Sequence, residues 1–122
     1  MKLALVVDDS LAMRAVLTEM LEGIGYDVEH AVNGKQALEF CKRTTPDLIM
    51  LDIEMPVMDG LEFLEQFQNP TGIPVLMCTS KSDFRRMKSS LEMGAREYIM
   101  KPFDRSILAS KLEMLGLVEA DS

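Results

Sequence analysis

The chain has 122 residues, 48% of them hydrophobic, and a formal net charge of −7 from 13 basic and 20 acidic side chains. That size and apolar content describe one globular domain with a real core, and the negative charge argues against nucleic acid or an anionic membrane as partner. The charge is uneven: residues 1–78 carry 5 basic and 13 acidic side chains, residues 79–122 carry 8 and 7.

The N-terminal stretch "MKLALVVDDS" opens with an apolar run, "LALVV" at 3–7, which reads as a strand. Acids interrupt it before a signal-peptide core could form, and no run of eighteen apolar residues follows anywhere. A cytoplasmic protein is expected, with Cys41 and Cys78 as free thiols. Residues 10–24 have helical spacing, with either Val16, Met20 and Ile24 or Leu17, Leu21 and Ile24 facing inward. "YDVEHA" at 26–31 alternates and suits an edge strand; its His30 has no ligand spacing around it, which argues against zinc. A second helix places Ala37, Leu38 and Cys41 on one face.

The strand "LIML" at 48–51 runs straight into Asp52, and "EMPVMDG" then breaks the chain. Helical spacing resumes with Leu61, Leu64 and Phe67. "IPVLMC" at 73–78 is a fourth strand, Phe84, Met87 and Leu91 mark a fourth helix, and "EYIM" at 97–100 is the fifth strand. Leu108, Leu112 and Leu115 define the last helix, which Gly116 ends. Asn33-Gly34 and Asp59-Gly60 resemble hairpin turns, but each precedes a helical pattern and is read as a helix start.

Strands alternating with helices through short connections imply right-handed crossovers and a parallel sheet covered on both faces. Ligands bind such sheets beyond the carboxyl ends of the strands. Asp8 and Asp9 follow the first strand, Asp52 the third, Thr79 the fourth and Lys101 the fifth, so one rim collects three carboxylates, a hydroxyl and an ammonium. Singly, Asp9-Ser10, Thr79 and Ser80 also fit helix caps and Lys101 a surface lysine. Together they are equipment for phosphoryl chemistry. Carboxylates about 4 Å apart repel by about 4 kcal/mol at an effective dielectric near 20, so they raise one another's pKa or recruit a hard cation such as Mg²⁺. The metal and ammonium would neutralise phosphoryl oxygens that the hydroxyl also reaches.

With "VVDDS" (6–10), "LDIEMPVMDG" (51–60), "CTS" (78–80) and "KPF" (101–103) in order, the whole chain resembles a bacterial response-regulator receiver domain of the stand-alone, CheY-like kind. The resemblance implies a doubly wound five-stranded parallel sheet in the order 2-1-3-4-5 with five helices, spanning 1–122 as a single receiver without an output domain. It makes Asp52 the phospho-acceptor. Asp9, Asp52 and the backbone carbonyl of Glu54 would ligate Mg²⁺, with Asp8 acting through a bound water. Lys101 would contact the phosphoryl group and form a cis peptide with Pro102. Thr79 and Tyr98 would be the switch residues.

The same resemblance makes the chain a phosphorylation switch that catalyses only its own phosphorylation and dephosphorylation. Its partners would be a sensor histidine kinase or histidine phosphotransfer protein and a downstream protein target, with chemotaxis and phosphorelay both open. A monomer is expected, with a phosphorylation-linked dimer as the alternative. Glu54 and Lys81 are expected to pair across the mouth of the site and tune phosphoryl lifetime. "KSDFRRMK" (81–88) has a net charge of +3, so Arg85, Arg86 and Lys88, with Tyr98, form the expected docking face on the fourth helix, fifth strand and fifth helix.

Three rivals fit less well. A haloacid-dehalogenase-type phosphatase shares the acid two residues past the nucleophile but places that motif after the first strand and needs more chain. A flavodoxin-like cofactor binder needs a phosphate-cradling loop where "DDSLAM" offers carboxylates. A scaffold-only receiver would not need the complete set of Asp8, Asp9, Asp52, Thr79 and Lys101.

Overall fold

The computed structural model describes residues 2–119. Strands β1 (Lys2–Val7), β2 (Tyr26–Ala31), β3 (Leu48–Asp52), β4 (Val75–Thr79) and β5 (Glu97–Met100) alternate with α1 (Leu11–Ile24), α2 (Gly34–Arg43), α3 (Gly60–Phe67), α4 (Phe84–Glu92) and α5 (Arg105–Met114). All strand pairs are parallel and the order is β2-β1-β3-β4-β5, as expected.

The central strands are apolar on both sides because each face has its own core. Leu5 and Val7 of β1, Ile49 and Leu51 of β3, and Val75 and Met77 of β4 pack with Ala37, Phe63, Leu64 and Met87 from α2, α3 and α4. Their alternates, Ala4 and Val6, Leu48 and Met50, Leu76 and Cys78, pack with Leu17, Leu21, Leu108 and Leu112 from α1 and α5. Such two-sided burial is the usual state of a strand inside a parallel sheet.

The helix starts follow the short polar residues. Ser10, Asn33, Asp59 and Asp104 cap α1, α2, α3 and α5 through their side-chain oxygens, so both Gly-containing dipeptides begin helices rather than hairpins. Gly116, at φ 74°, follows the last turn of α5 in the left-handed conformation expected of it. Cys41 and Cys78 are free, and burial pushes their thiols up to about 11 and about 12.

Several local expectations are corrected. β4 begins at Val75 rather than residue 73, because Pro74 has no amide to place in the ladder. α1 buries Leu17 and Leu21 and leaves Val16 46% exposed, which selects the second of its two candidate faces. Phe84 is 49% exposed instead of joining Met87 in the core, because α4 begins only at that residue, after a 3₁₀ turn over Lys81–Asp83.

Between β3 and α3, Val57 has φ 69° and is 76% exposed. The amide of Met58 donates across it to the carbonyl of Pro56 at 2.7 Å, closing a three-residue turn. A β-branched residue in this region costs about 1–2 kcal/mol, and packing returns little of it at so exposed a position. Val57→Asn should therefore stabilise the protein by about 1 kcal/mol, measured as a higher urea midpoint at unchanged slope.

Candidate functional site

The β1–β3 register pairs Val7 with Leu51, so the next residues, Asp8 and Asp52, come level at the carboxyl edge of the sheet. One carboxylate oxygen from each of Asp8, Asp9 and Asp52 lies within 4.8 Å of the others. Lys101 completes the group, with Nζ 3.3 Å from Asp52 Oδ1 and 3.6 Å from Asp8 Oδ2. The Lys101–Pro102 peptide is cis, and the amide of Lys101 donates to the carbonyl of Thr79 at 2.7 Å.

Each acid is held differently. Asp8 is 2% exposed; its Oδ1 accepts from the amide of Ser10 at 2.9 Å, and Arg14 Nη1 donates to its carbonyl at 2.8 Å. Its Oδ2 is buried and has no hydrogen-bond partner among the described residues. Asp9 is exposed at the mouth. Asp52 accepts from the amide of Ile53 at 2.9 Å and has a side chain 13% exposed. Burial pushes the Asp52 carboxyl up to about 6, and the Asp8 charge adds to this while Lys101 opposes it. Burial works against the charge of Lys101, but Asp52 and Asp8 more than offset it, and its pKa is raised.

A buried carboxylate oxygen without a donor is costly, and a cation is its natural complement. Oxygens around one Mg²⁺ at ~2.1 Å lie no more than about 4.2 Å apart, so the three acids fit this ion after adjustments well below the size of a side chain. The all-oxygen donor set also suits a hard cation better than zinc.

Thr79 ends β4, 1% exposed, and its hydroxyl donates to the neighbouring carbonyl of Ser80 at 3.2 Å rather than to Asp52. Tyr98 is half-buried on β5, with Lys111 Nζ 5.4 Å from the centre of its ring. The expected Glu54–Lys81 pair is not formed. Lys81 is exposed on the 3₁₀ turn and makes no ion pair among the described residues, whereas Glu54 lies 3.5 Å from Arg86. Arg86 also donates to Asp59 at 2.8 Å, so it is half-buried and turned inward rather than displayed on a docking face. Arg85 and Lys88 remain exposed.

Sequence reasoning missed three contributors. Arg14 braces Asp8 from the first turn of α1, and no pattern in the sequence announces it. Cys78, buried and paired in register with Asp52, forms an apolar floor behind that carboxyl. Gly60 was read only as part of a helix start, yet a Cβ there would collide with the backbone carbonyl oxygen of Asp52 and lie 3.1 Å from Ile53 Cα. Its amide donates to the carbonyl of Ile53 at 2.8 Å, which draws the start of α3 onto the end of β3. A glycine directly after a capping aspartate was the available signal.

The family profile described as the response regulator receiver domain matches residues 4–113. A probable transcriptional regulator, ycf27, of Porphyridium aerugineum is 38% identical over 108 residues, covering 88% of this chain and 45% of that protein. The DNA-binding response regulator MtrA of Mycobacterium leprae is 34% identical, covering 96% of this chain and 57% of that protein. The chain thus spans about half the length of these curated relatives. Among solved structures, the chemotaxis protein CheY4 of Vibrio cholerae is 33% identical with a TM-score of 0.82, covering 93% of this chain and 98% of that one. The signal receiver domain of a histidine kinase from Syntrophus aciditrophicus is 37% identical with a TM-score of 0.85, covering 100% and 96%.

Two outcomes follow from the geometry. Because Asp52 titrates near 6 when folded and near 3.8 when unfolded, the folded state holds the proton more tightly between these values, and stability falls as pH rises through that window. In chelator at pH 7.5, Asp52→Asn should be more stable than the parent by about 1–2 kcal/mol, and the gap should close below pH 4, both read from urea unfolding. Gly60→Ala should destabilise by about 2 kcal/mol or more, in the same assay, since backbone rather than a flexible side chain must yield.

Proposed function

The chain belongs to the response regulator receiver domain family, and from that premise we propose that Asp52 accepts a phosphoryl group from a histidine kinase or histidine phosphotransfer protein. The observation that carries this reading is the convergence of Asp8, Asp9, Asp52 and Lys101 at one end of the sheet. With a carboxyl that titrates near 6, Asp52 is mostly ionised at neutral pH and available as a nucleophile.

An oxygen of Asp52 forms a bond to phosphorus as the P–N bond of a phosphohistidine, or the P–O bond of a small acyl phosphate, breaks. The electron pair departs on the donor's imidazole nitrogen or carboxylate oxygen. Asp8, Asp9 and Asp52, with the carbonyl of Glu54, would hold Mg²⁺, which supplies charge neutralisation for the phosphoryl oxygens when bound. Lys101, in reach of both Asp8 and Asp52, would orient the acceptor and meet one phosphoryl oxygen. The chain undergoes this transfer and its hydrolysis as a switch, not as a turnover enzyme.

The readout is a population shift. A phosphoryl group interacts more favourably with an arrangement in which Thr79 turns toward it and Tyr98 follows inward. The half-buried position of Tyr98, beside Lys111 of α5, supports this. The altered face of α4, β5 and α5 then engages a protein target in the cytoplasm, with Arg85 and Lys88 the free basic groups on it. The mycobacterial relative is named as DNA-binding, and the match covers 57% of it; the net charge of −7 speaks against DNA binding as a property of this chain.

Incubation with acetyl phosphate and Mg²⁺ should add the mass of one phosphoryl group to the wild type, and none to Asp52→Asn or to wild type in excess chelator. Labelling of Asp52→Asn, or an unlabelled wild type, would overturn the assignment.

A further inference from the structure

The guanidinium of Arg86 meets three carboxylates, two from the loop after β3 and one from the segment before α4. One nitrogen lies 2.8 Å from Asp59 Oδ2, and the other lies 3.5 Å from Glu54 Oε1 and 3.9 Å from Asp83 Oδ1. Glu54 stands two residues past the acceptor, Asp59 caps α3 with its other oxygen, and Asp83 precedes α4. The second oxygen of Asp83 accepts from the hydroxyl of Ser80 at 3.1 Å, and Ser80 directly follows Thr79. A continuous polar path therefore runs from the residue after Thr79, through Asp83 and Arg86, into the loop that follows Asp52.

The path is partly sheltered. Side-chain exposures are 34% at Arg86, 23% at Asp59 and 16% at Asp83, which lifts these contacts above an open-surface ion pair. The planar fork of arginine serves several acids at once; a lysine would serve one as a point charge.

Resting on the acceptor reading above, we propose that Arg86 is a positioning residue for the phosphorylation switch: it clamps segment 80–83 to loop 54–59 in the unphosphorylated protein and so sets how readily Thr79 reaches a phosphoryl group on Asp52. The present contacts give the clamp its direction. Turning the Thr79 hydroxyl toward Asp52 gives up its bond to the carbonyl of Ser80, and the Ser80–Asp83–Arg86 path holds the residue that carries that carbonyl in the arrangement that favours the bond. By thermodynamic reciprocity, a contact that favours the resting arrangement weakens binding of a phosphoryl mimic by the same factor. An ordinary surface ion pair would alter unfolding and leave mimic binding untouched.

The test titrates beryllium trifluoride, with Mg²⁺, into wild type, Arg86→Gln and Arg86→Lys, following the amide resonances of Thr79 and Gly60, with urea unfolding to confirm that each variant is folded. Arg86→Gln should bind the mimic about five-fold more tightly, and Arg86→Lys should fall between it and wild type. Amide exchange over residues 80–84 of mimic-free Arg86→Gln should quicken while β1 and β3 keep their protection. Unchanged or weaker mimic binding by folded Arg86→Gln overturns the proposal even when wild type binds normally. A wild type that binds no mimic removes the acceptor reading, and the clamp with it.

Discussion

The buried pair of Asp8 and Asp52 is the constraint around which the rest of this protein is arranged. Two carboxylates share one ammonium, Lys101, at 3.6 and 3.3 Å, with the third acid, Asp9, at the mouth. Oxygens of the three acids lie within 4.8 Å of one another, where like charges repel by a few kcal/mol, and burial adds its own penalty at Asp52. The fold tolerates the imbalance because the acids are not free to move away. Parallel strands with two buried faces hold them level, and the amides of Ser10 and Ile53 each hold one oxygen in place. That crowding of acids, with one buried oxygen lacking a hydrogen-bond donor among the described residues, makes the site receptive to a cation.

Strand alternation divides the labour between the two faces. Asp8 continues the series Ala4 and Val6, Asp52 continues Leu48 and Met50, and Lys101 continues Ile99, all on the side packed by α1 and α5. Thr79 continues Val75 and Met77 on the other side, the side of α4, where Tyr98 also packs. The acids and Lys101 thus belong to one face of the sheet, and Thr79 and Tyr98 to the other. The backbone bond from Lys101 to Thr79, and the loops that follow β3 and β4, connect the two sides at the rim.

Those two loops are tied together more closely than their lengths require. Gly60 brings the start of α3 against the backbone of Asp52, and Asp59 both caps that helix and accepts from Arg86 of α4. The strained turn at Val57 lies between these fixed points. Gly60 and Asp59 thus anchor the loop after β3 near Asp52, and a polar path joins that loop to Ser80 after β4.

Much of this was legible before any coordinates. Short apolar runs alternating with helical spacing specify a parallel α/β sheet, and the rule that such sheets bind ligands at their carboxyl edge brings Asp8, Asp9, Asp52, Thr79 and Lys101 to one place, where the structure puts them. Caps at Ser10, Asn33 and Asp59 were legible because capping is a local interaction within a few residues. The partner of Glu54, the inward turn of Arg86, the brace from Arg14 and the fit of Gly60 were not. Each depends on which side chains from distant segments meet in space, and charge type alone could not choose Arg86 over Lys81. Local chemistry is written in neighbouring residues, so the chain by itself determined the elements and the acids at the rim; only the packing of α4 against the loop after β3 decided how those parts are coupled.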